Sequence, residues 1–182
     1  MSKKEFIIQA LKDFKTIGSP IPSQKFLINK MTRQINPKSC KCIVELGAGD
    51  GCITRELEKK INKNCKIISF EINKNLAGNL QSDNKNLIVI NDDATNLQKY
   101  MHKYGIKKID YVISSLPLAQ IKKDKAVKLI SLVRNSLKKN GLYIQYQYSL
   151  ISLKKIKSVF KKVSISFTPL NFPPAFVYTC TK

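Results

Sequence analysis

The stretch Ile43-Val44-Glu45-Leu46-Gly47-Ala48-Gly49-Asp50-Gly51 decides how the rest of the chain is read. An apolar run carries one acid, three glycines then alternate with other residues, and a helical pattern begins at Cys52. That order describes a strand, a tight turn and a helix N-terminus. Glycines serve where the backbone turns sharply and lets a ligand lie against it. The helix expected from about Cys52 to Ile61 turns its free N–H groups and the positive end of its dipole toward the same place. Such a place suits a nucleotide-like ligand with an anionic group.

The spacing narrows the ligand. A dinucleotide fingerprint reads G-x-G-x-x-G. Here the third glycine comes one residue early, and Cys52 stands where it should be. The pattern Glu45-x-Gly47-x-Gly49-x-Gly51 instead resembles the first motif of class I S-adenosylmethionine-dependent methyltransferases. The resemblance implies a cofactor loop built from Glu45, Gly47, Ala48, Gly49 and Gly51.

Two acids downstream fit that reading. Cys65 to Glu71 reads as a second strand ending in an acid, and Glu71 lies 20 positions after Gly51. In nucleotide-binding α/β folds an acid at about that spacing accepts hydrogen bonds from ribose hydroxyls. Asn86 to Ile90 is the expected third strand, closed by Asn91-Asp92-Asp93-Ala94. The Asp93-Ala94 pair is similar to the methyltransferase motif whose acid contacts the adenine amino group, and Ile72 would then pack on the adenine face.

The remaining elements alternate. A short helix is expected from Asn73 to Leu80, a fourth strand over Ile109–Ser114, a helix from Lys122 to Lys139, and a fifth strand over Leu142–Tyr148. A basic helix, Leu153 to Phe160, precedes β-rich segments at Lys162–Phe167 and Ala175–Thr181. Alternating strands and helices imply a parallel sheet. The expected fold is α/β: a Rossmann-like, seven-stranded, mostly parallel sheet with helices on both faces and a C-terminal antiparallel hairpin. Residues 37–182 form the expected methyltransferase domain. Residues 1–36 form a lid or membrane-contact segment: an amphipathic helix over residues 3–15, a Gly/Pro loop, and a helix from Gln24 to Ile35. In the first helix Phe6, Ile7, Ala10, Leu11 and Phe14 share one arc. That arc packs on the domain or lies in a membrane interface.

The acceptor is read from the loop after the fourth strand, Ser114-Ser115-Leu116-Pro117-Leu118. Enzymes that methylate the amine of adenine carry Asn or Asp there, then a double proline and an aromatic. This loop lacks all three. It resembles the Ser-x-Leu-Pro-Leu stretch of bacterial phospholipid N-methyltransferases, relatives of the rRNA adenine dimethylases. Ile17 to Ser23, Gln145-Tyr146-Gln147-Tyr148 and Asn171-Phe172-Pro173-Pro174-Ala175 are similar to further pieces of that family in the same order. The resemblance implies sequential methylation of phosphatidylethanolamine. It places Ser114 at both the cofactor and the reacting centre, Ser115 at the reacting centre, and Leu116, Pro117 and Leu118 against the substrate. Ser19 and Ser23, with Ser115, are expected to hydrogen-bond the phosphate beside Lys25. A phosphoethanolamine amine must lose a proton before it attacks; Tyr148, Asp50 or water is expected to take it, with Tyr148 chosen by position.

Composition sets the partners. The 182 residues carry 33 Lys+Arg against 12 Asp+Glu, a net charge of +21, which favours an anionic membrane surface or nucleic acid. Lys, Asn and Ile are all abundant, as AT-rich codons would produce, but the attraction exists whatever its origin. Five cysteines without a C-x-x-C pair and a single His102 leave no metal pattern. The odd cysteine count and the lack of a signal peptide pattern point to reduced thiols. No apolar run reaches the ~20 residues that span a bilayer. The expectation is a monomeric cytoplasmic enzyme, peripheral to the inner face of the membrane, acting on phospholipid. The alternatives are an RNA methyltransferase, a small-molecule amine methyltransferase, and a basic membrane- or RNA-binding protein with a vestigial cofactor site.

Overall fold

The architecture is that of a computed structural model, which describes residues 22–80 and 82–182. The expected helix over residues 3–15, Ser19 and most of the Gly/Pro loop lie outside them. The first described element is helix α1 (Pro22–Thr32). It is followed by β1 (Cys42–Leu46), α2 (Cys52–Lys60), β2 (Lys66–Phe70), α3 (Lys74–Gly78) and β3 (Leu87–Ile90). Then come α4 (Leu97–Lys103), β4 (Ile109–Ser114), α5 (Lys123–Ser136), β5 (Leu137–Gln147), α6 (Leu153–Lys157), β6 (Lys162–Thr168) and β7 (Ala175–Thr181).

The seven strands form one sheet in the order β3-β2-β1-β4-β5-β7-β6. All neighbours are parallel except β7, which runs against both β5 and β6. The expected fold class is the observed one. Both faces of the sheet are covered, so its central strands are continuous apolar runs rather than alternating ones. Within β1, Ile43 joins one core with Leu27 and Met31 of α1 and Leu57 of α2. Its neighbours Val44 and Leu46 join the opposite core, with Leu97 of α4, Ile130 of α5 and Ile156 of α6. Helix α1 is therefore part of the domain core.

Two elements differ from expectation. Helix α5 stops at Ser136, three residues before the expected end, and Leu137 is already extended. Leu137 is fully buried and pairs with Ile109, while Lys138 turns back to bind Asp110. Asn140, at φ 61°, and Gly141 then reverse the chain. A side chain on Gly141 would come within 3.0–3.2 Å of three carbonyl oxygens. Helix α4 was not expected, although Leu97, Tyr100, Met101 and Tyr104 recur at helical spacing.

The strand order reverses between β1 and β4. In open α/β sheets ligands bind outside the carboxyl ends of the strands at such a switch point.

Candidate active site

A cleft of about 800 Å³ opens at that point. Its volume lies within the ~300–1,000 Å³ of small-molecule sites. One half is built by the ends of β1, β2 and β3.

The glycine loop is held by backbone hydrogen bonds from Gly47 and Ala48 to Phe70 O, both 2.9 Å. Gly47, Gly49 and Gly51 all have positive φ, which only glycine adopts without strain. Their surroundings differ. A Cβ on Gly47 would meet the Ser115 hydroxyl at 2.8 Å, and one on Gly51 would meet Leu80 at 2.3 Å. A Cβ on Gly49 would meet nothing within 4 Å. Gly49 lines the cleft, so this open space is where a ligand comes against the loop.

Glu71 ties the loop to the end of β2. Its Oε2 accepts from Gly49 N at 2.7 Å and its Oε1 from Asn73 N at 2.9 Å. Each oxygen keeps a lone pair for a further donor. Asn91 fixes the backbone beside it through Glu71 O and Ile72 O. Ile72 and Asp93 both line the cleft, with Ile72 among the most exposed apolar residues. Asp93 Oδ1 accepts from the Thr95 N–H and hydroxyl, which sets the carboxylate's direction. Asp92 is bound by Asn96 and by the Tyr100 hydroxyl, and these two hold its carboxyl below the usual range.

An open backbone at Gly49, an anchored carboxylate at Glu71 and an apolar platform at Ile72 beside Asp93 fit S-adenosylmethionine. Gly47, Ala48 and Gly49 would hold its methionine part, Glu71 its ribose, and Ile72, Asp93 and Ala94 its adenine.

Three residues expected to touch the cofactor stand behind the cleft instead. Glu45 is buried and its Oε2 accepts from Thr54 and Ser69 at 2.6 and 2.7 Å, while Oε1 has no partner. Burial pushes this carboxyl up, and the two hydroxyls offset part of the shift. Gly51 begins α2 against Leu80. Ser114 is fully buried, and its Oγ accepts from Leu116 N.

The other half is built by the loop after β4, the end of β5, the β6–β7 loop and α1. Ser115 donates its hydroxyl to Gly47 O, so it joins the two halves. Leu116 and Pro117 line the cleft. Leu118 does not: it is fully buried in the core with α5, which corrects its assignment to substrate. Successive residues of a strand face opposite ways. Gln145 and Gln147 accordingly both donate to Leu116 O, at 3.1 and 2.8 Å, while Tyr146 and Tyr148 line the cleft. The two rings meet edge to face with centroids 5.5 Å apart. Burial pushes the Tyr148 phenol up, away from the anionic form that the expected base would use at neutral pH. Ser23 falls in the first turn of α1.

Asn171, Tyr146 and Arg55 also line the cleft and were given no role from sequence. Asn171 is buried; its Nδ2 donates to Pro173 O at 2.6 Å, and its Oδ1 has no partner. An amide ahead of two prolines was visible in the sequence, but its burial was not.

Residues 14–155 match the family described as ribosomal RNA adenine dimethylase. The chain is 29% identical to the ornithine lipid N-methyltransferase of Singulisphaera acidiphila, over 97% of its own length and 96% of that relative. It is 30% identical to the ribosomal RNA small subunit methyltransferase A of Mycoplasmopsis synoviae, over 59% of its own length. It covers only 42% of that second relative. Among solved structures, the N-methyltransferase NodS of Bradyrhizobium japonicum superposes with a TM-score of 0.73. At 8% identity, over 89% of this chain and 97% of that one, the likeness is one of fold.

Proposed function

We propose that this chain, which belongs to the ribosomal RNA adenine dimethylase family and is an S-adenosylmethionine-dependent methyltransferase, methylates the amine of a lipid headgroup. The observation that carries this reading is the acceptor half of the cleft. Its loop offers Leu116 and Pro117 where a flipped adenine needs a polar head and a stacking ring. The Ser115 hydroxyl and the Leu116 carbonyl are already taken up by the protein's own groups. The end-to-end match to a relative named for a lipid acceptor supports the same reading. Phosphatidylethanolamine and ornithine-type lipids both present such an amine.

When bound, S-adenosylmethionine supplies a methyl group on a sulfonium, an electrophile that needs no further activation. The chain's own work is to present a neutral amine in line, roughly 3 Å away, and to keep water out. Leu116, Pro117 and α1 give the approach an apolar wall. Asn171 lines the cleft and its buried Oδ1 has no partner, so a shift of the β6–β7 loop would offer that acceptor to one N–H of the amine. Tyr146 and Tyr148 stay protonated and give the amine a polar edge. The proton leaves to Asp50, which lines the same cleft, or to water.

The second reading, methylation of an adenine in ribosomal RNA, is favoured by the family's description and by the charge of +21. The test offers both acceptors: purified chain and methyl-labelled cofactor, with micelles of phosphatidylethanolamine or ornithine lipid, and with ribosomal RNA. Label in the lipid extract is expected. Label in RNA alone would replace this reading with the second.

A further inference from the structure

The two poles of the sheet differ in their exposed apolar side chains. At the amino pole, the turns entering the strands carry exposed lysines: Lys63, Lys85, Lys107, Lys108 and Lys161. No large apolar side chain is exposed in those turns among the described residues. At the carboxyl pole large apolar side chains are exposed as well as lysines. Ile72 follows β2, Leu150 and Ile151 follow β5, and Leu170 sits in the β6–β7 loop, all exposed. Ile151 and Leu170 are 67% and 64% exposed, too open to be core residues at an edge. Phe167, at the end of β6, is exposed beside them, and its carbonyl is held by Lys30 of α1. Phe26 is exposed on the same helix, whose Gln24, Leu27 and Ile28 line the cleft. Ile72 thus lines the cleft, Phe26 lies on a helix that lines it, and Leu150, Ile151, Phe167 and Leu170 lie at the same pole, while exposed Ile165 lies within β6.

We propose that the carboxyl pole is a membrane-docking face that seats the mouth of the cleft on an anionic phospholipid bilayer. This rests on the lipid-amine reading above and adds the partner and the surface. A soluble monomer does not keep a group of exposed apolar side chains without use. Insertion of apolar side chains to the depth of the headgroups, with basic residues around them, is how a protein lies on a bilayer. The basic residues are present: exposed Lys25 adjoins Phe26, exposed Lys74 lies two residues from Ile72, and exposed Lys154 follows Ile151. Exposed Lys122 and Lys123 begin α5 at the same pole. Each lysine near an anionic surface adds attraction that salt screens. A headgroup amine could then enter the cleft while its acyl chains stay in the bilayer. RNA would be drawn to exposed lysines at either pole without inserting apolar side chains, so insertion at the carboxyl pole separates the two partners.

The chain has no tryptophan, so one introduced residue reports its own surroundings. Leu170→Trp marks the carboxyl pole and Lys107→Trp the amino pole, each at an exposed position. On vesicles of phosphatidylethanolamine and phosphatidylglycerol, Leu170→Trp emission should move to shorter wavelength and be quenched by brominated acyl chains. Lys107→Trp emission should do neither. The double variant Ile151→Ser, Leu170→Ser, checked for an unchanged melting curve, should bind these vesicles at least about tenfold more weakly. No shift at Leu170→Trp, an equal shift at both positions, or binding of ribosomal RNA with none to vesicles would overturn the proposal. Insertion without methyl transfer to any lipid would leave the docking face standing and remove the proposed acceptor. Methyl transfer in detergent micelles without insertion would keep the acceptor and remove the docking face.

Discussion

The two halves of the cleft are built by different means. In the cofactor half the polar groups hold one another before any ligand arrives: Glu71 by Gly49 and Asn73, Asp92 by Tyr100 and Asn96, Asp93 by Thr95. In the acceptor half the wall is apolar and phenolic, and Asn171 keeps an acceptor without a partner. Such preorganisation suits a ligand that is the same in every turnover, because its binding energy is not spent on ordering the site. An unpaired buried acceptor costs stability. Its presence beside the cleft is explained when a substrate N–H completes it.

That contrast is open to breakage at three positions, and a fourth tests the scaffold away from it. The largest effect is expected from Leu118→Asp. Leu118 is in the core rather than in the cleft, so an unpaired carboxylate there should cost about 5 kcal/mol or more and largely unfold the chain. A melting curve like that of the wild type would return Leu118 to the acceptor wall. Next is Glu71→Ala, which removes the ribose acceptors and releases Gly49. At ~1.5–3 kcal/mol per hydrogen bond to a charged group, S-adenosylmethionine affinity should fall at least about 100-fold by calorimetric titration. The apolar acceptor wall should be untouched by it, while the melting temperature should fall because Gly49 N and Asn73 N lose their acceptor.

Asp110→Asn tests a site away from both halves. Asp110 accepts from Lys41 N and Cys42 N and pairs with Lys138. Burial alone would raise its carboxyl, but Lys138 and the two N–H groups outweigh burial and hold it below the usual range. The substitution should cost about 2 kcal/mol at pH 7 with cofactor affinity unchanged. A depressed folded-state pKa gives stability that is full above the unfolded carboxylate value of ~4. The gap between wild type and variant should therefore close as the pH falls below ~4, through the lower folded value. A gap that does not narrow at all as the pH falls below ~4 would remove the charged pair as its cause. The smallest effect is expected from Asn171→Leu: methyl transfer about tenfold slower, with S-adenosylmethionine affinity at the wild-type value. An equal loss in both measurements would make Asn171 part of the scaffold.

The same contrast explains what could be read from the chain. The cofactor half is written in short contiguous patterns, Glu45 to Gly51, Glu71-Ile72 and Asp93-Ala94, because backbone and carboxylate contacts require glycine and acid at fixed steps. The sheet was legible because its buried strands are unbroken apolar runs. The acceptor half gathers single residues from four separate segments, and spacing says nothing of how these meet. Leu118 read as cleft lining because the Leu-Pro-Leu stretch gives no sign of which leucine faces inward. The end of α5 was misplaced because Leu137 continues the helical period while its pairing with Ile109 draws it into the sheet. Tertiary contact decided there, not local preference.

The most direct measurement of the central claim is made in cells. Wild type and Gly49→Val are expressed in a bacterium whose lipids carry unmethylated amines, and both the lipid extract and the ribosomal adenosines are weighed by mass spectrometry. A side chain at Gly49 is strained at its φ of 58° and fills the open space over the loop, so that variant should be inactive. The account predicts aminolipids heavier by one or more methylene units with wild type only, and adenosines unchanged. Unaltered lipids together with newly methylated ribosomal adenosine would contradict it.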